Sequence, residues 1–369
     1  MKFKVIYFFI LFALCNLSCS SEKSINVINV LQSLDSHSSS EISFMHISDT
    51  HGSSISVVPM VEALNSSNCD FGIITGDILP DDNMINIINS YRKPVFLVPG
   101  NHDAYDVYSQ YGFRKSVIDR NTTISNVKYG DNNANYFYYD LHKDAKHFRV
   151  ISLDQFELDA VGRAGIYEVV MSQKQIDWFI EVLESSYNVD AFIVLIHEGF
   201  GNANIGSRDI KNVNKFVSGL AADYTNSYDF NGTANPLLIP DILHAYISGE
   251  NIINKTYASG IESAPVHVTT KFNGAHHNFI AYYGGHLHWD EVEYLNTHQE
   301  QLLSLIAYGG QGTGSGWNDL VKSNSGEDSY NINYNKIDIE QKQLTIYRLG
   351  AKNTQGGTIR DSITFEILK

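Results

Sequence analysis

At 369 residues the chain can form one large domain or two smaller ones, and its 43% hydrophobic content supports a packed fold over a disordered chain. A net charge of −15 and a pI near 5.3 exclude a protein that grips a phosphate backbone through clustered Lys and Arg, so no nucleic-acid partner is expected beyond a nucleotide as substrate. Only 18% of residues are charged, which predicts a surface made polar largely by Asn, Ser and Tyr.

Lys2 and Lys4 precede an apolar run from Val5 to Leu17, interrupted at Asn16, that is too short to cross a bilayer as a helix and suits a secretory signal core. Residues 1–18 are read as a signal peptide and the chain as exported. Leu17-Ser18-Cys19-Ser20 resembles a bacterial lipoprotein box with Cys19 as lipid acceptor. Asn16 departs from the branched aliphatic residue usual three places before that cysteine, so a lipid anchor in the cell envelope and plain secretion both stay open. With Cys15 removed and Cys19 lipidated, Cys69 stands alone and no internal disulfide is expected. The Ser-rich residues 19–40 read as a tether, leaving residues 41–369 as the domain.

Strand and helix then alternate. Ile42 to Ser48 predicts a strand ending in Asp49-Thr50-His51-Gly52, and Val57 to Leu64 a helix. Phe71 to Thr75 predicts a second strand, ending in Gly76-Asp77, and Met84 to Tyr91 a second helix, with Asp81 and Asp82 as turn or helix-start residues. The Val-Phe-Leu-Val run at 95–98, opened by Pro94 and closed by Pro99, is a third strand, leading into Gly100-Asn101-His102-Asp103. Asp77 follows Asp49 by 28 residues and Asn101 follows Asp77 by 24, each one strand-helix-strand unit, which lines Asp49, His51, Asp77 and Asn101 along one sheet edge.

Tyr136 to Leu141 and His147 to Leu153 predict a strand pair, and Met171 to Ser185 an amphipathic helix. Ala191 to Ile196 is an apolar strand that delivers His197, followed by Glu198-Gly199-Phe200-Gly201. Residues 202–275 read as a long insertion with short helices such as Ile210 to Leu220. Asn278 to Tyr283 predicts a strand ending in Gly284-Gly285-His286-Leu287-His288. The segments 291–295, 301–308, 330–339, 343–348 and 363–368 read as a β-meander completing a second sheet. His46, inside the first strand, reads as a core residue, and Gly309 to Gly314 lacks the Lys-Ser/Thr ending of a nucleotide phosphate loop.

The strand ends collect Asp49, His51, Asp77, Asn101, His197, His286 and His288, with His102 and Asp103 beside them. Imidazoles, carboxylates and an amide oxygen without thiolate suit Mn, Zn or Fe rather than a cysteine-type structural zinc. One tetrahedral ion leaves donors over; two ions about 3.5–4 Å apart sharing a carboxylate use them all.

Asp-Thr-His at 49–51, Gly-Asp at 76–77, Gly-Asn-His-Asp at 100–103, His197 and Gly-His-Leu-His at 285–288 resemble the five ordered motifs of the calcineurin-like metallophosphoesterases. The resemblance implies a four-layer α/β/β/α sandwich of two mixed β-sheets flanked by helices, and a hydrolase of phosphate mono- or diesters with a small phosphate-ester substrate. It also implies residue roles: Asp49, His51, Asp77 and His288 hold one metal, Asp77, Asn101, His197 and His286 the other, and Asp77 bridges. His102 is then the proton donor, oriented by Asp103. Two cations lower the pKa of a bridging water from about 15.7 toward 7, and the resulting hydroxide attacks phosphorus.

Two positions depart from relatives of that kind. Pro80 stands where purple acid phosphatases carry an iron-binding tyrosine, and Glu198 follows His197 where a proline-containing turn is more usual, which predicts a different local substrate wall. Arg114, Arg163 and Arg208 each suit a phosphate clamp, and nothing in the sequence chooses among them. The rival reading is a surface binding or scaffold protein that keeps the fold without catalysis; every motif position being filled speaks against it.

Overall fold

The computed structural model describes residues 31, 34, 41–103, 110–157, 169–198, 237–257, 259, 265–286, 291–295, 302–306, 330–350 and 362–368. The signal peptide, Cys19, the helix expected over 210–220, Arg163, Arg208, His288 and the glycine-rich segment 309–314 lie outside the described residues. No helix among the described residues is long and apolar enough to cross a membrane.

The predicted alternation is present. Strand β1 (Glu41–Ile47), helix α1 (Val57–Ser66), β2 (Phe71–Thr75), α2 (Asp82–Asn89) and β3 (Val95–Val98) form two consecutive parallel units, because each helix buries an apolar stripe on the strands it connects. The Asp81 carboxylate accepts the Met84 amide at 2.7 Å and so starts α2, while Asp82 pairs on the surface with Arg120. A short helical turn at 110–118 leads to β4 (Lys128–Tyr129), β5 (Phe137–Lys143) and β6 (Lys146–Ser152). Helix α3 (Gln173–Glu184) follows, capped by the Ser172 hydroxyl, then β7 (Ala191–Leu195).

Helix α4 (Leu238–Ser248) and the hairpin β8 (Lys255–Tyr257) with β9 (Val266–Val268) come next. Short helices are expected within 202–275, but the sequence places none at 238–248. Leu238, Ile239, Ile242, Leu243 and Tyr246 recur at helical spacing with Pro240 in the first turn, and they pack with Ile176, Phe179 and Leu183 of α3 against Phe192 and Val194. This part of the expected insertion therefore belongs to the core beneath the second sheet. Each such side chain taken fully from water contributes about 1.5–3 kcal/mol.

The chain ends with β10 (Phe279–Gly284), β11 (Glu291–Leu295), β12 (Leu302–Ile306), β13 (Asn331–Asp338), β14 (Gln343–Gly350) and β15 (Ser362–Glu366). One sheet runs β15-β14-β13-β1-β2-β3 and the other β11-β12-β10-β7-β6-β5-β4. The final strands therefore do not complete a single sheet as expected: β11 and β12 join the second, while β13 runs antiparallel to β1 and carries β14 and β15 into the first. Both sheets are mixed.

The sheets pack face to face through Phe44, Phe71, Phe96 and Ile73 on one side and Phe148, Val150, Ile193 and Tyr283 on the other. Alternation sends Met45 and Ile47 to the opposite face, under Val57, Met60, Leu64 and Ile88 of the first two helices. The second helix layer is α3 with α4. Leu31, within the stretch read as a tether, is buried in the first helix layer, and the Leu34 carbonyl accepts the Lys336 ammonium at 3.3 Å.

Candidate metal centre

Parallel strands β1, β2, β3, β7 and β10 release their carboxyl ends toward one edge, and their pairing continues past the last strand residues. Asp49 N–H bonds Gly76 O at 3.0 Å, His51 N–H bonds Asp77 O at 2.8 Å, and Gly285 N–H bonds His197 O at 2.8 Å. These bonds hold Asp49, His51, Asp77 and His286 at positive φ, between 44° and 70°, a conformation costing about 1–3 kcal/mol for each non-glycine residue. Glycine is needed between them. Gly76 has φ +88°, and a Cβ there would overlap the His197 imidazole and stand 2.9 Å from Gly100 Cα.

The donors converge on Asp77. Its Oδ1 accepts the His102 amide at 2.8 Å and lies 3.4 Å from His197 Nε2, and its Oδ2 lies 3.8 Å from His51 Nε2. The His286 amide donates to Asp49 Oδ2 at 2.8 Å. Asn101 Oδ1 stands 3.0 Å from His197 Nε2 and 3.1 Å from His286 Nδ1. The His197 Nδ1 proton is directed to the Thr75 carbonyl at 2.7 Å, which turns Nε2 into the cluster. Two donor groups result, Asp49-His51-Asp77 and Asp77-His197-His286, with the ligating atoms of each within 4.8 Å of one another.

Burial sets the charges. Asp49, Asp77, Asn101 and His197 are all at most 1% exposed. Burial works against ionising Asp77, but the neighbouring His197 cation and its hydrogen bond outweigh it and hold Asp77 below the usual carboxylate range. Burial likewise opposes a charged His197, and Asp77 overrides it, raising His197 to about 10. Without a cation, the cluster thus borrows a proton to balance its carboxylates. That need, together with the mixed imidazole, carboxylate and amide-oxygen set, fits transition or divalent metal ions at both groups.

His102 is partly buried beside His51, the ring centroids 5.2 Å apart. Asp103 is fully buried, and its carboxylate accepts the amides of Ile78, Leu79 and Gly100 at 2.7–3.1 Å. It therefore staples the loop after β2 to the loop after β3. Burial and the nearby Asp77 push it up to about 7 against those three amides. His46 is a core residue as expected: 1% exposed, bonded to the Thr75 hydroxyl at 2.8 Å, and pushed down to about 3 by burial.

Two features are not legible in the sequence as site elements. Gln155 is buried below the cluster; its Oε1 accepts the amides of His197 and Glu198 at 2.8 and 2.7 Å, and its Nε2 donates to Glu198 O at 2.8 Å. Glu198 is buried, 0% exposed, and Gly199 to Gly201 of the turn expected to alter the substrate wall lie outside the described residues. Both depend on contacts more than forty residues apart, and a Gln just past a strand carries no motif. Arg114 is committed to the fold: it bonds Asp119 and the Ala134 carbonyl, both at 2.6 Å, and lies over the Tyr129 ring.

Two helix-flanked mixed sheets thus carry metal-type donors at their shared edge. Residues 42–231 match the family model described as calcineurin-like phosphoesterase, and the chain belongs to that family, whose members are metal-dependent hydrolases of phosphoric ester bonds. No curated protein matches the chain. Among solved structures, it is similar to GAP50, the anchor in the inner membrane complex of Plasmodium, at 10% identity and TM-score 0.44 over 89% of this chain and 90% of that one. PhoD matches at 10% identity and TM-score 0.48 over 89% and 70%, and the NAD nucleotidase of Haemophilus influenzae at 10% and 0.40 over 89% and 49%.

Proposed function

We propose that the chain is an exported phosphoesterase that hydrolyses a small phosphate ester by attack of water on phosphorus at a two-metal centre. The observation that carries this is the shared position of Asp77, whose two carboxylate oxygens face two separate donor groups. Asp49, His51, Asp77 and His288 would hold one ion; Asp77, Asn101, His197 and His286 would hold the other. Bound there, the ions supply Lewis-acid charge neutralisation and a water of lowered pKa.

The chain's own residues do the rest. Asp49 fixes the His286 backbone, Thr75 sets the His197 tautomer, and Asn101 Oδ1 converges with both imidazoles on the same position. His102, its amide held by Asp77, delivers a proton to the leaving oxygen. Asp103 does not hold the His102 imidazole as expected: its carboxylate is taken up by the Ile78, Leu79 and Gly100 amides, so it acts on the register of the loop that carries His102. Export rests on the apolar segment Val5 to Leu17, and Cys19 would carry a lipid where the source processes lipoproteins.

The test is metal analysis of the purified domain together with hydrolysis of p-nitrophenyl phosphate and bis-p-nitrophenyl phosphate under added Mn, Zn and Fe. About two ions per chain with turnover is the expected result, and Asp77→Ala should lose both. Two full sites in that variant would refute the shared carboxylate, and no metal in the wild type would move the reading to a binding protein.

A further inference from the structure

Two other buried carboxylates each take several donors. Glu157 takes the amide and hydroxyl of Ser172 and the Gln175 amide group, and Asp103 takes three backbone amides. Glu198 is different. It is 0% exposed, and among the described residues neither carboxylate oxygen has a hydrogen-bond partner.

Its place is fixed by others. Gln155 grips the Glu198 backbone at both N–H and C=O, so the residue is anchored at the end of β7. From there Oε1 stands 3.9 Å from His286 Nδ1, the ring nitrogen that also faces Asn101 Oδ1 at 3.1 Å. Donors around one ion at about 2.0–2.2 Å from it lie roughly 3–4.4 Å apart, so the spacing to His286 suits two ligands of one ion; Glu198 lies outside the Asp77-His197-His286 group whose ligating atoms are all within 4.8 Å, and a turn of its side chain would be needed to bring it in. Asn101 Nδ2 is likewise buried without a partner among the described residues, so no amide of that neighbour satisfies the carboxylate. A carboxylate buried without a donor costs several kcal/mol unless a cation compensates it.

We propose that Glu198 is a further ligand of the Asp77-Asn101-His197-His286 metal position, entering beside His286. This rests on the two-metal reading above and deepens it. The position then offers three oxygen and two nitrogen donors, a harder and more crowded set than a tetrahedral one. Such a set favours Mn or Fe over Zn.

Wild type, Glu198→Gln and Glu198→Ala are compared by Mn(II) and Zn(II) titration calorimetry, metal content, Mn(II) electron paramagnetic resonance and melting of the metal-free protein. Wild type should bind about two ions. E198Q should melt, metal-free, at or above the wild-type temperature, because a buried charge is gone. Its Mn(II) affinity at one position should fall at least about ten-fold, its Zn(II) affinity less than about three-fold, with an altered Mn(II) spectrum. E198A should show the same metal loss.

A wild type with two ions beside an E198Q of unchanged Mn(II) affinity and spectrum would overturn the Glu198 assignment alone. Metal-free E198Q or E198A melting far below wild type would assign Glu198 to the fold and overturn it too. Absence of metal from the wild type would bring down the two-metal reading itself.

Discussion

Replacing Gln155 by alanine removes one side chain and strands three buried backbone groups: the amides of His197 and Glu198 and the carbonyl of Glu198. Each such group left unpaired costs about 1–3 kcal/mol, an upper range of roughly 3–9 kcal/mol for the three. The four heavy atoms removed leave more room than one water's ~30 Å³, and a water entering there can restore up to two of the bonds. A net loss of about 3 kcal/mol is therefore expected. The same change frees the turn that carries His197, so metal affinity should fall about ten-fold as well. Urea denaturation of metal-free protein reads the first effect and metal titration the second. A Q155A protein within about 1 kcal/mol of wild type and with unchanged metal affinity would refute the claim that this glutamine positions the turn.

Further outcomes follow from the same geometry. His102→Ala should keep full metal content while turnover falls about 10²–10⁴-fold, and unchanged turnover would remove His102 from the chemistry. Burial, aided by Asp154, raises Glu157 to about 7, so the folded chain holds a proton that the unfolded chain releases near pH 4.5. The sign is therefore a stability contribution present below pH 4.5 and lost as pH rises through 7. It amounts to about 2–3 kcal/mol for this group, and Glu157→Gln should remove that decline in metal-free urea midpoints measured from pH 5 to 7.5. Parallel pH curves for the two proteins would refute it.

Much of the site is legible in the sequence, because strand ends and turn residues are local signals. Asp49, Asp77, Asn101 and His197 each terminate a short apolar run, and parallel strands bring such ends to one edge. His286 ends β10 in the same way. Helix α4 has its pattern at 238–248, but a surrounding stretch rich in Gly and Asn hides it. The tail segments are legible as strands, and their meandering order suggests one sheet. Their division between two sheets depends on β13 pairing with β1, some three hundred residues away, and nothing local encodes that choice.

The sequence by itself determined the order of elements, the five motifs and hence the donor chemistry, since these follow from residue type and short-range periodicity. The tertiary structure alone decided how those donors are held. The Gln155 clamp, the Asp103 staple and the Glu198 carboxylate beside His286 arise where chain segments distant in sequence share one buried space. In that space an unpaired polar atom is costly, and which partner it finds is a property of the packed fold rather than of any single stretch.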